Sequence, residues 1–200
     1  RAFEEQIIRS VRAVDQVLLY MRDAYAHDPT GFDINQWARS SGILRDLAFQ
    51  VAILDKNAHL VTSNLGQTGS KVDLSDREHF KVHAQGHTDQ LFISKPIIGR
   101  VSGKPSINMT RRITMPDGSF GGVAVVSFDP EYLTRFYDTI DIGERGIVSL
   151  VGTDGVVRAR SVRGAETAQV GKSIAVGGKV LEAFARSPSG SFTNVSPLDG

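Results

Sequence analysis

The sequence predicts an α+β fold in which one long N-terminal helix precedes two modules, each a central antiparallel sheet flanked by helices. Three observations predict this fold. Apolar residues recur at helical spacing over residues 3–25, strand-like runs separated by turn residues follow over residues 49–128, and a shortened version of that pattern returns after residue 130. Helices placed before an antiparallel sheet are typical of α+β domains. We therefore expect three segments: residues 1–47 with two helices, 48–129 with the first sheet, and 130–200 with a linker helix and an incomplete second sheet.

The first predicted element is one long amphipathic helix. Its apolar residues recur at steps of four and three, as in a heptad seam. They are Ile7, Val11, Val14, Leu18, Met21 and Tyr25. Ile8 and Val17 widen this apolar face. The helix can therefore pack on the chain's own sheet, pair with the same helix of a second copy, or do both.

A helix break and a second helix follow. Pro29 and Gly31 disfavour continuation of the first helix. Asp33 is a good N-cap, and Gln36 three residues later completes a capping-box spacing. We expect Trp37 in this second helix to lie in the core rather than to form a platform for a ligand.

The first module is predicted as five antiparallel strands, because its runs of β-branched and aromatic residues are bounded by glycine and proline. The strands are predicted at residues 49–54, 59–63, 92–98, 106–114 and 120–128. The dipeptide Asp117-Gly118 supports a tight turn before the last strand. Between the second and third strands, residues 64–71 form a loop that could lie over a pocket.

A short helix is predicted between that loop and the third strand. Ser75 is a good N-cap, and Glu78 completes a capping-box spacing. The predicted helix carries Arg77, His79 and Phe80.

The second module is predicted as a shortened repeat of the first. Its predicted elements are a helix at residues 131–137, a hairpin at 147–151 and 156–161, a helix at 180–185 and a strand at 191–195. Only about three strands of the second sheet are visible, so this module looks truncated.

Composition excludes several classes of protein. The chain has 23 basic and 22 acidic residues and a net charge of +1, whereas nucleic-acid-binding domains usually carry a clustered basic face. It has no cysteine, which excludes disulfides and cysteine-ligated metals and is compatible with cytoplasm or periplasm. No apolar run of about 18 residues occurs. Since the sequence starts inside a helical pattern, we expect a piece of a longer protein.

Three motifs carry a family resemblance. They are the turn Asp76-Arg77-x-x-Phe80, the loop Ser94-x-Pro96-x-x-Gly99-Arg100-x-Ser102-Gly103-Lys104, and the strand segment Thr110-Arg111-Arg112. Together they resemble a double Cache domain, the extracytoplasmic sensor of bacterial transmembrane receptors. The resemblance implies two PAS-like modules in the periplasm, a small ligand in the membrane-distal first module, and a homodimer through the N-terminal helix. The parent chain would cross the membrane and carry a histidine kinase or a diguanylate cyclase or phosphodiesterase, with a chemoreceptor as the alternative.

The resemblance also implies site residues. Arg77 matches the arginine that grips the ligand carboxylate in amino-acid-binding members, and His79 and Phe80 fall where those members carry two aromatic residues. Ser127 aligns with the aspartate that holds the ligand's ammonium group. Serine cannot supply that charge, so a small carboxylate without an amine, or a neutral polar ligand, is favoured over a free amino acid.

Residue type and position indicate candidate site residues independently of the resemblance. Arg77 lies near free backbone N–H groups at a helix start, where guanidinium and helix dipole together favour a carboxylate; the alternative is a salt bridge to Asp73 or Asp76. On the strand at 106–114, alternation places a polar stripe on one face, which makes Asn108 and Thr110 candidate ligand contacts. Weaker candidates begin the Gly-rich loop; they are Ser94 and Lys95. Arg100 and Lys104 are expected to shape that loop.

No catalytic residue, metal ligand or cofactor is assigned. His79, His83 and His87 recur at steps of four, a spacing that can bind zinc on a helix, but Gly86 is expected to end the helix before His87. Two other readings stay open: a small hydrolase using His79 with a nearby carboxylate, and a dimerisation module whose pocket is empty.

Overall fold

The computed structural model describes residues 2–41, 48–66, 72–86, 88–135, 143, 146–162, 169–174 and 179–193. The chain divides into two compact units, Arg1–Asp129 and Pro130–Gly200. Within the described residues, no helix combines the length and the apolar character needed to cross a membrane.

Two helices open the first unit, α1 (Ala2–His27) and α2 (Ile34–Ser41). The predicted N-cap of α2 is confirmed, since Oδ1 of Asp33 accepts hydrogen bonds from the backbone N–H groups of Asn35 and Gln36 at 2.8 and 3.1 Å. Trp37 was expected in the core but is only half-buried. The buried face of α2 is formed by Ile34 and Ala38 instead, because residues four apart share one side of a helix.

The first unit is built on one antiparallel sheet with the strand order β2-β1-β6-β5-β3, and β4 also pairs with β5. The strands are β1 (Gln50–Asp55), β2 (Leu60–Ser63), β3 (Phe92–Ile93), β4 (Ile97–Ile98), β5 (Pro105–Thr114) and β6 (Phe120–Phe128). The long strands β5 and β6 form the centre, joined by the predicted turn, in which Gly118 N–H bonds the Met115 carbonyl at 2.8 Å. A φ of 82° at Gly118 explains the glycine.

The predicted strand at 92–98 is wrong as a single strand, since β3 and β4 are separate. Pro96 has no N–H to give to a ladder. Just before it, the Ser94 hydroxyl accepts a hydrogen bond from Asn108 N–H at 2.9 Å, while Ser94 N–H donates to the Asn108 carbonyl at 2.9 Å. A side chain thus replaces one backbone bond of the ladder, and the strand is interrupted.

One face of the sheet is covered by α1, which packs on β5 and β6. The buried part of the α1 seam consists of Val14, Leu18, Met21 and Tyr25. Arg111 projects to this face and forms two hydrogen bonds with the Asp15 carboxylate of α1, at 2.7 and 2.8 Å. The predicted packing of the seam on the chain's own sheet is confirmed.

The opposite face carries the short helix α3 (Glu78–Gln85). Its predicted start is wrong: the N-cap residue is Arg77, with extended backbone and no side-chain cap. Ser75 does not cap because its own N–H is held by Oδ1 of Asp73 at 2.8 Å, and a turn with an Arg77 N–H to Leu74 carbonyl bond intervenes. Local side-chain bonds of Asp compete with helix in this way. Gly86 ends the helix, as predicted.

In the second unit the helices are α4 (Pro130–Arg135) and α5 (Lys179–Arg186), and the strands β7 (Ile147–Val151) and β8 (Val157–Val162) form an antiparallel hairpin. These agree with the predicted helix, hairpin and helix. The strand predicted at 191–195 is not formed at residues 191–193, and its remainder lies outside the described residues, as do positions 136 and 137 of the first predicted helix.

Candidate functional site

The sheet face that α1 does not cover lines a cavity of about 30 Å³. Its polar lining consists of Gln50, Arg77, His79, Arg100, Asn108 and Ser127. The rest of the lining consists of Ala52, Leu54, Leu60, Leu74, Ile97, Gly99, Val101 and Val125. Since about 10–15 Å³ holds one water, a cavity of this size suits a ligand of a few non-hydrogen atoms.

The register of three strands builds the polar wall of the cavity. Asn108 of β5 pairs with Ser127 of β6, which pairs with Gln50 of β1. The Ser127 hydroxyl donates to Oδ1 of Asn108 at 2.7 Å, and Nε2 of Gln50 donates to the Ser63 hydroxyl at 3.2 Å. Nδ2 of Asn108 and Oε1 of Gln50 bond to no described residue. The wall therefore offers one donor and one acceptor to a ligand.

Arg77 also lines the cavity and brings a cation to it. Its Nη2 donates to the Ile98 carbonyl at 3.2 Å, and its Nε is buried without a hydrogen-bond partner among the described residues. The alternative salt bridge to Asp73 or Asp76 is absent there, because Asp76 is bound by Arg100 through two hydrogen bonds of 2.8 Å. A buried donor without a partner costs about 1–3 kcal/mol, so this position is matched to a ligand that accepts.

Two histidines of α3 lie under the same sheet face. Burial, with the charges of Arg77 and His83, lowers the pKa of His79 from 6.5 to about 4. Burial also lowers the pKa of His83 to about 4, against an opposing hydrogen bond from Thr110. Nε2 of His83 lies 2.9 Å from the Thr110 hydroxyl, whereas the His79 ring bonds to no described residue. At neutral pH His79 thus presents a neutral ring, with one donor and one acceptor, to the cavity.

Four of the eight predicted site residues line the cavity; they are Arg77, His79, Asn108 and Ser127. The other four do not. Phe80 is buried in the apolar cluster and packs on Phe120, with ring centroids 5.9 Å apart. Thr110 donates to the His79 carbonyl at 3.3 Å, and Ser94 bonds Asn108 N–H. Lys95 lies 3.9 Å from Glu78 at the surface.

Sequence reasoning missed two polar lining residues. Gln50 starts an otherwise apolar strand, and its position on the face shared with Ala52 and Leu54 is a signal that alternation could have used. Arg100 was expected only to shape its loop. Its hydrogen bonds to Asp76 and to the Asp73 carbonyl are consistent with that expectation, but they also place it at the cavity.

The charged side chains that line the cavity are all positive. Two guanidinium groups and a neutral imidazole contribute to the lining, and no acidic side chain of the described residues does. Within the same part of the chain no group of three metal-ligating side chains comes together; His87 of the histidine series lies outside it. The arrangement can therefore bind an anion, and it has no counter-ion for an ammonium group.

No protein-family model and no curated protein matches the chain. Solved structures do. The extracellular domain of the putative histidine kinase rpHK1S-Z16 is 29% identical with a TM-score of 0.88, covering 100% of this chain and 81% of that one. The ligand-binding domain of the Pseudomonas aeruginosa PAO1 amino acid chemoreceptor PctC, in complex with GABA, is 14% identical with a TM-score of 0.67 over 96% and 80%. The sensor domain of the V. cholerae histidine kinase DctB is 14% identical with a TM-score of 0.56 over 84% and 65%.

These similarities confirm the predicted α+β fold and the resemblance that the three motifs carry. The predicted extracytoplasmic placement is confirmed as well, since the similar proteins are extracellular domains of receptors.

Proposed function

We propose that this chain is an extracytoplasmic ligand-sensing domain of the double Cache type, and that its first unit binds a small carboxylate without an amino group. The observation that carries the proposal is Nε of Arg77, which is buried at the cavity without a hydrogen-bond partner among the described residues. A carboxylate supplies charge-assisted acceptors to a guanidinium in paired geometry. The first unit is then the membrane-distal binding module, and residues 130–200 form the module that relays the signal.

The polar wall supports the choice of carboxylate. Besides Arg77, the lining includes Asn108 with an amide donor, Gln50 with an amide acceptor and His79 with a neutral ring. These groups suit a hydroxyl or carbonyl substituent. In the structural relatives with amino acids bound, such as the Pseudomonas fluorescens chemoreceptor CtaA with L-valine, the ligand carries an ammonium group. In this chain the polar wall carries Ser127, which is uncharged and cannot pair with an ammonium group. Burying an unpaired ammonium group is costly.

Calorimetric titration with L-lactate, propionate and L-alanine tests the proposal, because these acids differ mainly in one substituent. We expect lactate to bind best and alanine at least about tenfold more weakly, since its ammonium is left unpaired. Arg77→Gln should abolish lactate binding. Arg9→Gln is the matched control, because Arg9 is a surface residue of α1. Equal binding of alanine and lactate, or lactate binding that survives in Arg77→Gln, contradicts the proposal.

We also propose that the domain catalyses nothing. His79 bonds to no described carboxylate, and its pKa of about 4 leaves it a weak base. The hydrolase alternative predicts turnover of a generic ester that is lost in His79→Ala. We expect no turnover by either protein.

The proposed assembly is a homodimer through α1, within a parent chain that crosses the inner membrane. Near the N-terminus of α1 the seam residues Ile7 and Val11 are only partly buried, and Ile8 is 40% exposed, so an apolar strip is left for a second copy. Ile8→Lys should lower the dimer fraction measured by light scattering without lowering the melting temperature. Similarity to the 29% identical extracellular domain of a putative histidine kinase supports a histidine kinase output. The chemoreceptor domains PctC and CtaA, which the chain also resembles, are 14–19% identical and show the fold alone.

A further inference from the structure

Arg77 has three acidic neighbours in sequence, and each could neutralise it. Asp76 and Glu78 flank it, and Asp73 lies four residues before it. Pairing between neighbours does occur in this chain, since Arg22 and Asp23 are bonded at 2.9 Å. The charge of Arg77 already acts on Asp76, whose pKa it helps to lower. An Arg77–Asp76 pair would occupy hydrogen-bond donors of the Arg77 guanidinium with an internal carboxylate and leave fewer of them for a ligand.

All three acids are engaged elsewhere. The Glu78 carboxylate lies 3.9 Å from Nζ of Lys95. Oδ1 of Asp73 accepts the N–H of Ser75 at 2.8 Å. Both oxygens of Asp76 are bound by Arg100, through Nη1 to Oδ1 and Nη2 to Oδ2 at 2.8 Å each. The same Nη1 also donates to the Asp73 carbonyl. Arg100 therefore spans the segment that precedes Arg77 and occupies the adjacent Asp76 carboxylate.

We propose that Arg100 is a positioning residue for the ligand: by holding Asp76 in a two-bond pair, it leaves Arg77 as the uncompensated cation of the cavity. This inference rests on the proposed function. It explains why a cavity with two guanidinium groups presents one of them to a ligand while the other is engaged with the protein.

The loop that carries Arg100 is built to aim it. Gly99 N–H bonds the Lys104 carbonyl at 2.9 Å, and Gly103 N–H bonds the Gly99 carbonyl at 2.8 Å. A φ of 68° at Gly103 closes this turn, a conformation that glycine adopts without a steric penalty. Arg100 is thus presented from a fixed turn rather than from a free end.

Stability alone gives a weak reason for this pair. The side chains of Arg100 and Asp76 are 39% and 60% exposed, and exposed ion pairs contribute little to the free energy of unfolding. Its two-bond geometry, however, fixes where the Asp76 carboxylate lies. The pair is therefore better matched to directing a charge than to stabilising the fold.

Calorimetry with L-lactate on three variants tests the inference. Arg100→Gln releases Asp76 to Arg77 and should weaken lactate binding about tenfold, as for loss of a directed charge contact. Asp76→Asn should stay within about threefold of the wild type, and the double variant should recover to within about threefold as well, because the Asp76 carboxylate can no longer compete for Arg77. A double variant as weak as Arg100→Gln overturns the inference, since Arg100 then acts on the ligand or on the loop. Asp76→Asn as weak as Arg100→Gln overturns it too.

A second measurement needs no ligand. In Arg100→Gln, NMR titration should find the pKa of Asp76 still below its ordinary 3.8, because Arg77 takes over the carboxylate, and Arg100→Gln with Arg77→Gln should return it to the ordinary range. A pKa that returns to 3.8 while Arg77 is still present overturns the inference. Failure of the proposed function is distinguishable, because it appears as absence of lactate binding in the wild type, whatever Asp76 does.

Discussion

Neighbouring residues of β5 point to opposite faces of the sheet and meet opposite surroundings. On the α1 face, Ile107, Met109 and Ile113 are buried among apolar residues, and the polar exception, Arg111, is bonded to Asp15. On the cavity face, Asn108 is buried with an amide nitrogen that bonds to no described residue. One strand therefore carries a face whose charge is paired and a face with spare hydrogen-bonding capacity.

The difference shows where to look for function on a buried sheet. Buried polar groups are hydrogen-bonded in most folds, so polarity on the inner face of a strand is by itself no signal. Arg111 is a partly buried cation whose hydrogen bonds to Asp15 fasten α1 to the sheet. Arg77 is a cation whose Nε has no described partner. The group left over after internal pairing, rather than the charged group as such, indicates the ligand site.

The largest expected effect of a single substitution lies on the α1 face of the sheet. Met109→Ala deletes a side chain that is 1% exposed and should lower the free energy of unfolding by about 2–5 kcal/mol, through lost burial and a cavity. Chemical denaturation measures this loss. Lactate affinity of the folded fraction should stay within about threefold, since the change lies on the other face. A large loss of affinity with little loss of stability would mean that the two faces are not separate.

The next effect belongs to the cavity face and depends on pH. His79 and His83 have folded pKa values of about 4, below the ordinary 6.5, so the unfolded chain binds their protons first. The contribution of these neutral histidines to the free energy of unfolding is complete above pH 6.5. It falls as the pH drops to about 4, by up to roughly 1.4 kcal/mol per pH unit for each histidine.

Denaturation at several pH values between 7 and 4 checks this window, with His79→Gln as the variant that removes one titrating group. Its unfolding free energy should depend on pH about half as steeply as that of the wild type. An unchanged slope would show that His79 is not held neutral by burial.

A smaller effect is expected from weakening the Asp15–Arg111 pair that joins α1 to the sheet. Asp15→Asn leaves the buried part of Arg111 with weaker acceptors and should cost roughly 2 kcal/mol, the usual value of hydrogen bonds to a charged group. Thermal melts measure it, with Asp23→Asn as the matched control on the same helix, because Asp23 is exposed. Equal effects of the two variants would show that the Asp15–Arg111 pair does not fasten α1.

The variant expected to lower stability least, Ser127→Ala, should still weaken ligand binding clearly. Ser127→Ala removes the 2.7 Å hydrogen bond to Asn108 and should cost about 1 kcal/mol. The freed Asn108 amide can rotate, so lactate should bind several times more weakly in calorimetry. Thr62→Ala on the outer part of the sheet is the control. Unchanged lactate affinity in Ser127→Ala would show that the polar wall does not contribute to lactate binding.

Much of the fold could be predicted from local pattern. The α1 seam, the cap at Asp33, and the strands β5 and β6 follow from spacing and turn residues that act over a few positions. The errors also have local causes: the bond from Ser75 N–H to Asp73 delayed the start of α3, and Ser94 with Pro96 divided one predicted strand into two.

The site was harder to predict, because membership of the cavity depends on long-range pairing. Alternation on β5 places Asn108 and Thr110 on one face, but only the position of α3 decides that Thr110 is covered while Asn108 lines the cavity. The release of Arg77 depends on Arg100, which lies 24 residues from Asp76. No spacing rule within one element reports such a contact.

The most direct test observes the Arg77 side chain itself. In a ¹⁵N–¹H spectrum of arginine Nε groups, the Arg77 signal is assigned by its loss in Arg77→Lys and followed during titration with L-lactate. We expect this Nε proton to move downfield and its shift to saturate together with those of the backbone amides of the cavity, because a carboxylate supplies the missing hydrogen-bond acceptor. An Arg77 signal that stays in place while those amides shift, or a spectrum that lactate leaves unchanged throughout, would contradict the proposed carboxylate binding by Arg77.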